Sequence, residues 1–235
     1  LASSSIGAVW SSCSPDFGVK GVLDRFSQIE PKVLFASDGY FYNGKQFNCL
    51  EKFNEILMNL TSVKKAIVVP YSSERPQLRS DSKTILYPDF ITGHQSENIE
   101  FEQLPFSHPL YIMYSSGTTG LPKSIVHSCG GTLIQHLKEL RLHTNLKRED
   151  TIFYFTTCGW MMWNWLVSSL AVGSSLVLYD GSPFYPNPEA MWRMIENLGI
   201  TVFGTSAKFI AASEKAGVKP KNSIDLTNLK NILST

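Results

Sequence analysis

Leu110-Tyr-Ile-Met-Tyr114, running into Ser115-Ser-Gly-Thr-Thr-Gly-Leu-Pro-Lys-Ser124, is the stretch that decides how this chain folds. The apolar and aromatic run predicts a short strand, the glycine- and hydroxyl-rich run a loop, and the pattern over 126–143 a helix. A loop so placed lies at the carboxyl end of a strand, where open α/β sheets bind their ligands. Gly117 and Gly120 let the backbone curl and turn its N–H groups inward. Ser115, Ser116, Thr118 and Thr119 add hydroxyls, and Lys123 adds a positive charge, so the loop suits a polyphosphate. It is not a Walker A loop, which has four residues between its glycines and a glycine directly before the lysine. Here Gly117 and Gly120 enclose only Thr118 and Thr119, and Pro122 precedes Lys123. Pro122 has no N–H and biases Leu121 toward an extended conformation, which sets Lys123 on a stiff strut beyond the loop. Alone, such a run would equally suit a solvated surface turn; the flanking strand, the helix and the Pro-Lys ending favour the phosphate cradle.

Outward from this loop, strand and helix patterns alternate. Toward the N-terminus we expect a strand at 6–11, a helix at 19–28 and a strand at 32–36. A hairpin turning on Asn43-Gly44, a helix at 47–60 and a buried strand at 65–70 follow. From 71 to 108 the pattern weakens into long surface loops with one short helix. Toward the C-terminus we expect strands at 151–156, 175–179, 201–204 and 229–233, separated by helices at 161–171, 188–198 and 207–215. Such alternation predicts an α/β fold with doubly wound, largely parallel sheets. Residues 1–108 are expected to form part of a first subdomain with long loops, and 109–235 a second one that carries the phosphate loop.

Composition narrows the function. A chain of 235 residues with 43% hydrophobic content can bury a sizeable core, and a net charge of +1 offers no electrostatic footprint for nucleic acid or a membrane surface. Mean hydropathy is −0.05, and no apolar run approaches the roughly 20 residues of a membrane helix. Cys13, Cys49, Cys129 and Cys158 are far apart, which argues against a disulfide framework or zinc site and for a cytosolic protein. Leu1 is no initiator, no signal-peptide pattern follows it, and the chain stops in an apolar strand; the sequence is expected to be truncated at both ends.

The run Tyr114-Ser-Ser-Gly-Thr-Thr-Gly-Leu-Pro-Lys123 resembles the phosphate loop of the acyl-adenylate-forming superfamily. Ser14-Pro-Asp-Phe-Gly resembles its acetyl-CoA synthetase branch, and Cys158-Gly-Trp-Met-Met-Trp-Asn-Trp with Val177-Leu-Tyr-Asp-Gly-Ser-Pro is similar to the acetoacetyl-CoA synthetases within it. The resemblance implies an acid–thiol ligase acting on acetoacetate, ATP and CoA with Mg²⁺. Acetoacetate would attack the α-phosphate to give acetoacetyl-adenylate and pyrophosphate, and the CoA thiol would then displace AMP. Ser115, Ser116, Gly117, Thr118, Thr119, Gly120 and Lys123 match the family's loop and would hold the leaving phosphates, with Lys123 the catalytic charge. The adenine-binding turn, the acidic Mg²⁺ residue, the ribose-binding aspartate and the mobile C-terminal domain are expected beyond Thr235, so this chain alone is expected to be inactive. Two alternatives are an acetyl- or propionyl-CoA synthetase fragment and a non-catalytic phosphate-binding or interaction domain. Oligomeric state is not legible.

Trp160, Trp163 and Trp165 crowd one helix start and point in different directions, so they cannot all face one core. By the same resemblance Met161 and Met162 stand where acetyl-CoA synthetases usually carry Val and Thr in the acyl pocket, and two flexible thioethers would reshape it. Trp160 would line that pocket, and Asn164 could donate to the keto oxygen that acetate lacks. A plain core role competes for all of these residues. His127 reads as a solvated or capping residue at the helix start, Cys129 and Cys158 as small buried hydrophobes, and Asp38 and Asp180 as turn caps. His108, His136 and His143 show no ligand or triad spacing. Replacing Ser115, Ser116, Thr118 and Thr119 by alanine is expected to cut ATP use at least tenfold while barely changing the unfolding midpoint. Parallel losses in activity and denaturation assays would contradict the cradle.

Overall fold

The structure is a computed structural model that describes residues 1–79, 81–94, 98–115 and 120–234. Ser116, Gly117, Thr118 and Thr119 of the loop lie outside the described residues. The chain divides into two compact units, one of residues 1–41 and 45–129, the other of residues 42–44 and 130–235.

The first unit holds helix α1 (Ala2–Ser5), strand β1 (Trp10–Ser11), helix α2 (Val19–Phe26), strands β2 (Val33–Ser37), β3 (Gly39–Tyr42) and β4 (Lys45–Asn48), helix α3 (Leu50–Asn59), strands β5 (Lys65–Val69) and β6 (Thr84–Leu86), helix α4 (Tyr87–Ile91), and strands β7 (Pro109–Ser115) and β8 (Lys123–Ser128). Strands β2, β5 and β6 form a parallel sheet. Helices α2 and α3 cover one face of it: Val22, Phe26, Phe53 and Ile56 pack on Leu34, Ala66 and Val68. Asn43 and Gly44 both take positive φ, 51° and 73°, as a two-residue hairpin turn between twisted strands requires. Strand β7 lies in the middle of a second sheet, parallel to β1 and antiparallel to β8.

The second unit holds helix α5 (Cys129–Lys138) with a π-helical extension (Glu139–His143), strand β9 (Thr151–Tyr154), helix α6 (Met161–Ser168) with a 3₁₀ extension (Ser169–Val172), strand β10 (Ser175–Val177), helix α7 (Ala190–Leu198), strand β11 (Val202–Thr205), helices α8 (Ala207–Lys215) and α9 (Pro220–Ser223), and strand β12 (Asn231–Ser234). Its four strands run parallel in the order β10-β9-β11-β12, with helices packed on both faces. Alternation along β9 and β11 separates the two cores. Ile152, Tyr154 and Val202 meet Leu140, Trp165 and Leu166, while Phe153 and Phe203 meet Met191, Trp192 and Phe209. Gly204 lies beside Tyr154 in register, and a Cβ there would run into the tyrosine ring.

The α/β class and the largely parallel sheets agree with the sequence reading. Three local readings change. The stretch expected to open a helix at 126 is instead β8, and the helix starts only at Cys129. Ser-Ile-Val-His-Ser carries β-branched residues suited to a strand, and Ile125 and Val126 are both exposed, so no single buried face marks the period. The expected strand at 6–11 shrinks to Trp10–Ser11, with a helical turn before it. The 71–108 region contains β6, a strand of 3 residues, too short to show alternation. The compact units part between Cys129 and Gly130, and the pairing of β7 with β1 and β8 keeps both strands with the N-terminal residues.

Two buried carboxylates hold strand ends. Asp150, 2% exposed, accepts from Lys147 N, the Thr201 hydroxyl and Lys230 Nζ at 2.8, 2.9 and 2.7 Å, which ties together the starts of β9, β11 and β12. Asp38, 1% exposed, accepts from the backbone N–H groups of Tyr71, Ser72 and Ser73 and from both serine hydroxyls, at 2.7–3.0 Å. Burial pushes the Asp38 carboxyl up, but the Ser72 and Tyr71 N–H groups and the two hydroxyls together outweigh it and hold the pKa at about 2, below the ordinary 3.8. Because the folded pKa is depressed, this stabilisation is complete above about pH 4 and disappears as the pH falls toward 2. Asp38→Asn is expected to cost on the order of 2 kcal/mol at pH 7, and its deficit relative to wild type should shrink through that window. A deficit that does not change between pH 7 and pH 2 in urea titrations would refute the assignment.

Candidate functional site

The loop is held by the β7–β8 ladder, in which Ser115, the last residue of β7, pairs with Lys123, the first of β8. Directly opposed residues of an antiparallel pair bring their Cβ atoms within about 5.5 Å. The hydroxyl of Ser115 and the stem of Lys123 therefore start from the same place, the mouth of the loop. Lys123 is exposed, as are Gly120 and Leu121, whereas Ser115 is half-buried. An exposed ammonium beside a partly enclosed hydroxyl can meet an anionic ligand without first losing an internal partner salt bridge.

The strand below the mouth is well anchored. Tyr111 is buried in β7, and its ring lies 5.3 Å from that of His127 on β8. His127 is thus a strand residue whose ring is tilted against Tyr111, not a residue at a helix start. Tyr114, next to Ser115, meets the Ser11 hydroxyl at 3.1 Å, and the Arg25 guanidinium sits 5.7 Å from its ring centroid. Burial pushes the Tyr114 phenol above its ordinary value.

In the second unit, the tryptophan-rich segment divides as the sequence implied. Trp165 is buried and meets Tyr154 edge to face at 6.1 Å. Trp160 precedes α6 in an extended conformation and is 61% exposed; Met161 is 45% exposed. Met162 packs against the core beside Trp165, so its thioether is shared between interior and surface. Asn164 is half-buried, and its backbone carbonyl accepts the Ser168 hydroxyl at 2.9 Å. Ser168 in turn bonds the buried His136 ring at 2.8 Å, and His108 bonds Gly7 O at 3.0 Å; both histidines serve the fold.

Cys129 and Cys158 are half-buried rather than the buried hydrophobes expected, since each lies at the very start of a helix or in a bend. Asp180 is exposed beyond the end of β10, while Asp38 is a turn cap as expected. Among the described residues no three or more His, Cys, Asp and Glu side chains gather as a metal site, and no helix is long and apolar enough to cross a membrane.

Comparison with known proteins bears on what this arrangement is for. The profile of the AMP-binding enzyme family matches residues 1–234. Acetoacetyl-CoA synthetase of Gallus gallus is 55% identical over 240 residues, covering 100% of this chain and 36% of the relative. Acetoacetyl-coenzyme A synthetase of Rhizobium meliloti is 51% identical over 236 residues, with the same coverage of 100% and 36%. A malonamoyl-CoA synthetase of Penicillium aethiopicum is 42% identical over 255 residues, covering 100% and 35%. Among solved structures, acetoacetyl-CoA synthetase from Streptomyces lividans superposes with a TM-score of 0.91 at 45% identity, over 99% of this chain and 35% of that one. The chain thus spans about a third of the length of the relatives it matches. With the match running from end to end and the glycine-rich loop set between paired strands, the chain belongs to the AMP-binding enzyme family.

Proposed function

We propose that this chain is the phosphate-gripping and acid-facing part of an acetoacetate–CoA ligase. The observation that carries the reading is the Ser115–Lys123 pair at the mouth of a Gly/Ser/Thr loop, in a chain that shares about half its residues with acetoacetyl-CoA synthetases. In the reaction, a carboxylate oxygen of acetoacetate attacks the α-phosphorus of ATP, and the bond to the bridging oxygen breaks, releasing pyrophosphate. The CoA thiol then attacks the acyl carbon and AMP departs with that carboxylate oxygen. Negative charge accumulates on the departing pyrophosphate, where prepositioned donors stabilise it most. Ser115, Ser116, Gly117, Thr118, Thr119 and Gly120 would supply hydroxyls and N–H groups there, and Lys123 a charge. Mg²⁺ would arrive with the nucleotide, held largely by phosphate oxygens and water, as this reluctantly dehydrated ion commonly is.

For the acid, Trp160, Met161, Met162 and Asn164 would form one wall of the pocket. The exposure of Trp160 and Met161 supports this, because neither side chain is needed to fill the core. Acetoacetate and malonamate, the acids implied by the relatives' names, both carry a carbonyl β to the carboxylate. A side-chain amide such as that of Asn164 is suited to recognise this group by a hydrogen bond. The wide spacing of the cysteines supports a reducing, cytosolic setting for the same enzyme.

ATP–pyrophosphate exchange in the full-length protein tests the assignment. Acetoacetate is expected to drive exchange and acetate hardly at all. Preference for acetate would overturn the substrate, and no exchange with any short acid would overturn adenylation. Trp160→Ala is expected to raise the KM for the acid several-fold with an unchanged unfolding midpoint. Trp165→Ala should instead cost about 3–5 kcal/mol of stability, because it empties a core site. If the two variants behave alike, the division of the segment is wrong.

A further inference from the structure

We infer that Gln28, just past the end of α2, is a positioning residue for Lys123. This rests on reading Lys123 as the charge that meets a phosphate. The Gln28 carboxamide grips the residue on either side of the lysine: its Nε2 donates to Pro122 O at 2.8 Å, and its Oε1 accepts from the Ser124 hydroxyl at 3.0 Å. The same Nε2 donates its other proton to Asp24 O at 2.6 Å, so the carboxamide is itself fastened to α2.

The local sequence explains why such a grip is useful. Strand β8 lies at the edge of its sheet, with β7 on one side and no strand on the other among the described residues. Pro122 has no N–H, so this residue's own backbone can be hydrogen-bonded only through its carbonyl. A primary amide offers two donors and an acceptor in one plane, and Gln28 uses all of them. Glutamate could not donate to Pro122 O, and lysine could not accept from Ser124. One turn earlier, Arg25 lies against the Tyr114 ring, beside Ser115. A single stretch of α2 and its C-terminal end thus contacts both strands that frame the loop.

Lys123 is exposed, on a long stem, and gains from any restraint that narrows where its ammonium can go. Gln28 does not touch the nucleotide in this account and acts by holding the backbone from which Lys123 projects.

The test is calorimetric titration of the full-length protein with MgATP. Gln28→Ala is expected to weaken ATP binding about fivefold, the scale of one or two exposed hydrogen bonds, while the KM for the acid stays within twofold and the unfolding midpoint is unmoved. In a Lys123→Ala background, Gln28→Ala should add nothing, because the residue it positions is gone. An unchanged ATP affinity in Gln28→Ala, or effects of the two substitutions that multiply, would overturn the inference. The outcomes also separate the two claims. Full ATP affinity in Lys123→Ala would overturn the phosphate reading itself, whereas impaired Lys123→Ala with normal Gln28→Ala would overturn only the role of Gln28.

Discussion

The structure of the candidate site depends on the double pairing of β7. With β1 parallel on one side and β8 antiparallel on the other, this strand is fixed in register along both edges, and Tyr111 anchors it from below. The antiparallel partner sets Ser115 against Lys123. A helix starting directly after the loop, as in a Walker site, would place the lysine on a helix N-terminus with a dipole behind it. Here the lysine instead continues an extended strand, and its position is set by ladder hydrogen bonds and by the Gln28 carboxamide. The proline before the lysine is consistent with that extended geometry.

The remaining architecture rests on a few buried polar anchors among large apolar layers. Asp150 gathers the starts of β9, β11 and β12 through Lys147, Thr201 and Lys230. Asp38 gathers the turn at Tyr71–Ser73 against the end of β2. In each case a carboxylate taken out of water is compensated by several donors rather than one, which is what makes its burial tolerable. Above the Asp150 anchor, Phe153, Phe203, Trp192 and Phe209 form an aromatic cluster with centroids 5.6–6.1 Å apart, and each such contact adds about 0.5–1.5 kcal/mol beyond area burial.

Much of this was legible in the sequence. Long elements with a clear buried face, such as α7 with Met191, Trp192 and Ile195, declared themselves by periodicity, and Asn43-Gly44 declared its turn by backbone chemistry. The 115–124 stretch stood out as a candidate site because glycine, hydroxyl and lysine chemistry occupy neighbouring positions. What stayed hidden depends on pairing between distant residues. Strand β6 has only Thr84, Ile85 and Leu86 and exists because β5 offers it an edge. Strand β8 could not be told from a helix start while Ile125 and Val126 face solvent. The Gln28 contact spans 94 residues to Pro122 and leaves no local trace, since a glutamine at the end of an amphipathic helix is unremarked by any pattern.

The central claim is that the family chemistry proceeds through an acyl-adenylate on acetoacetate. Acetoacetate labelled with ¹⁸O in its carboxylate, turned over by the full-length protein with ATP and CoA, tests this by mass spectrometry of the nucleotide product. Attack of the carboxylate on the α-phosphorus predicts AMP carrying one ¹⁸O atom and pyrophosphate carrying none. Unlabelled AMP, or label in phosphate or pyrophosphate, would contradict the account.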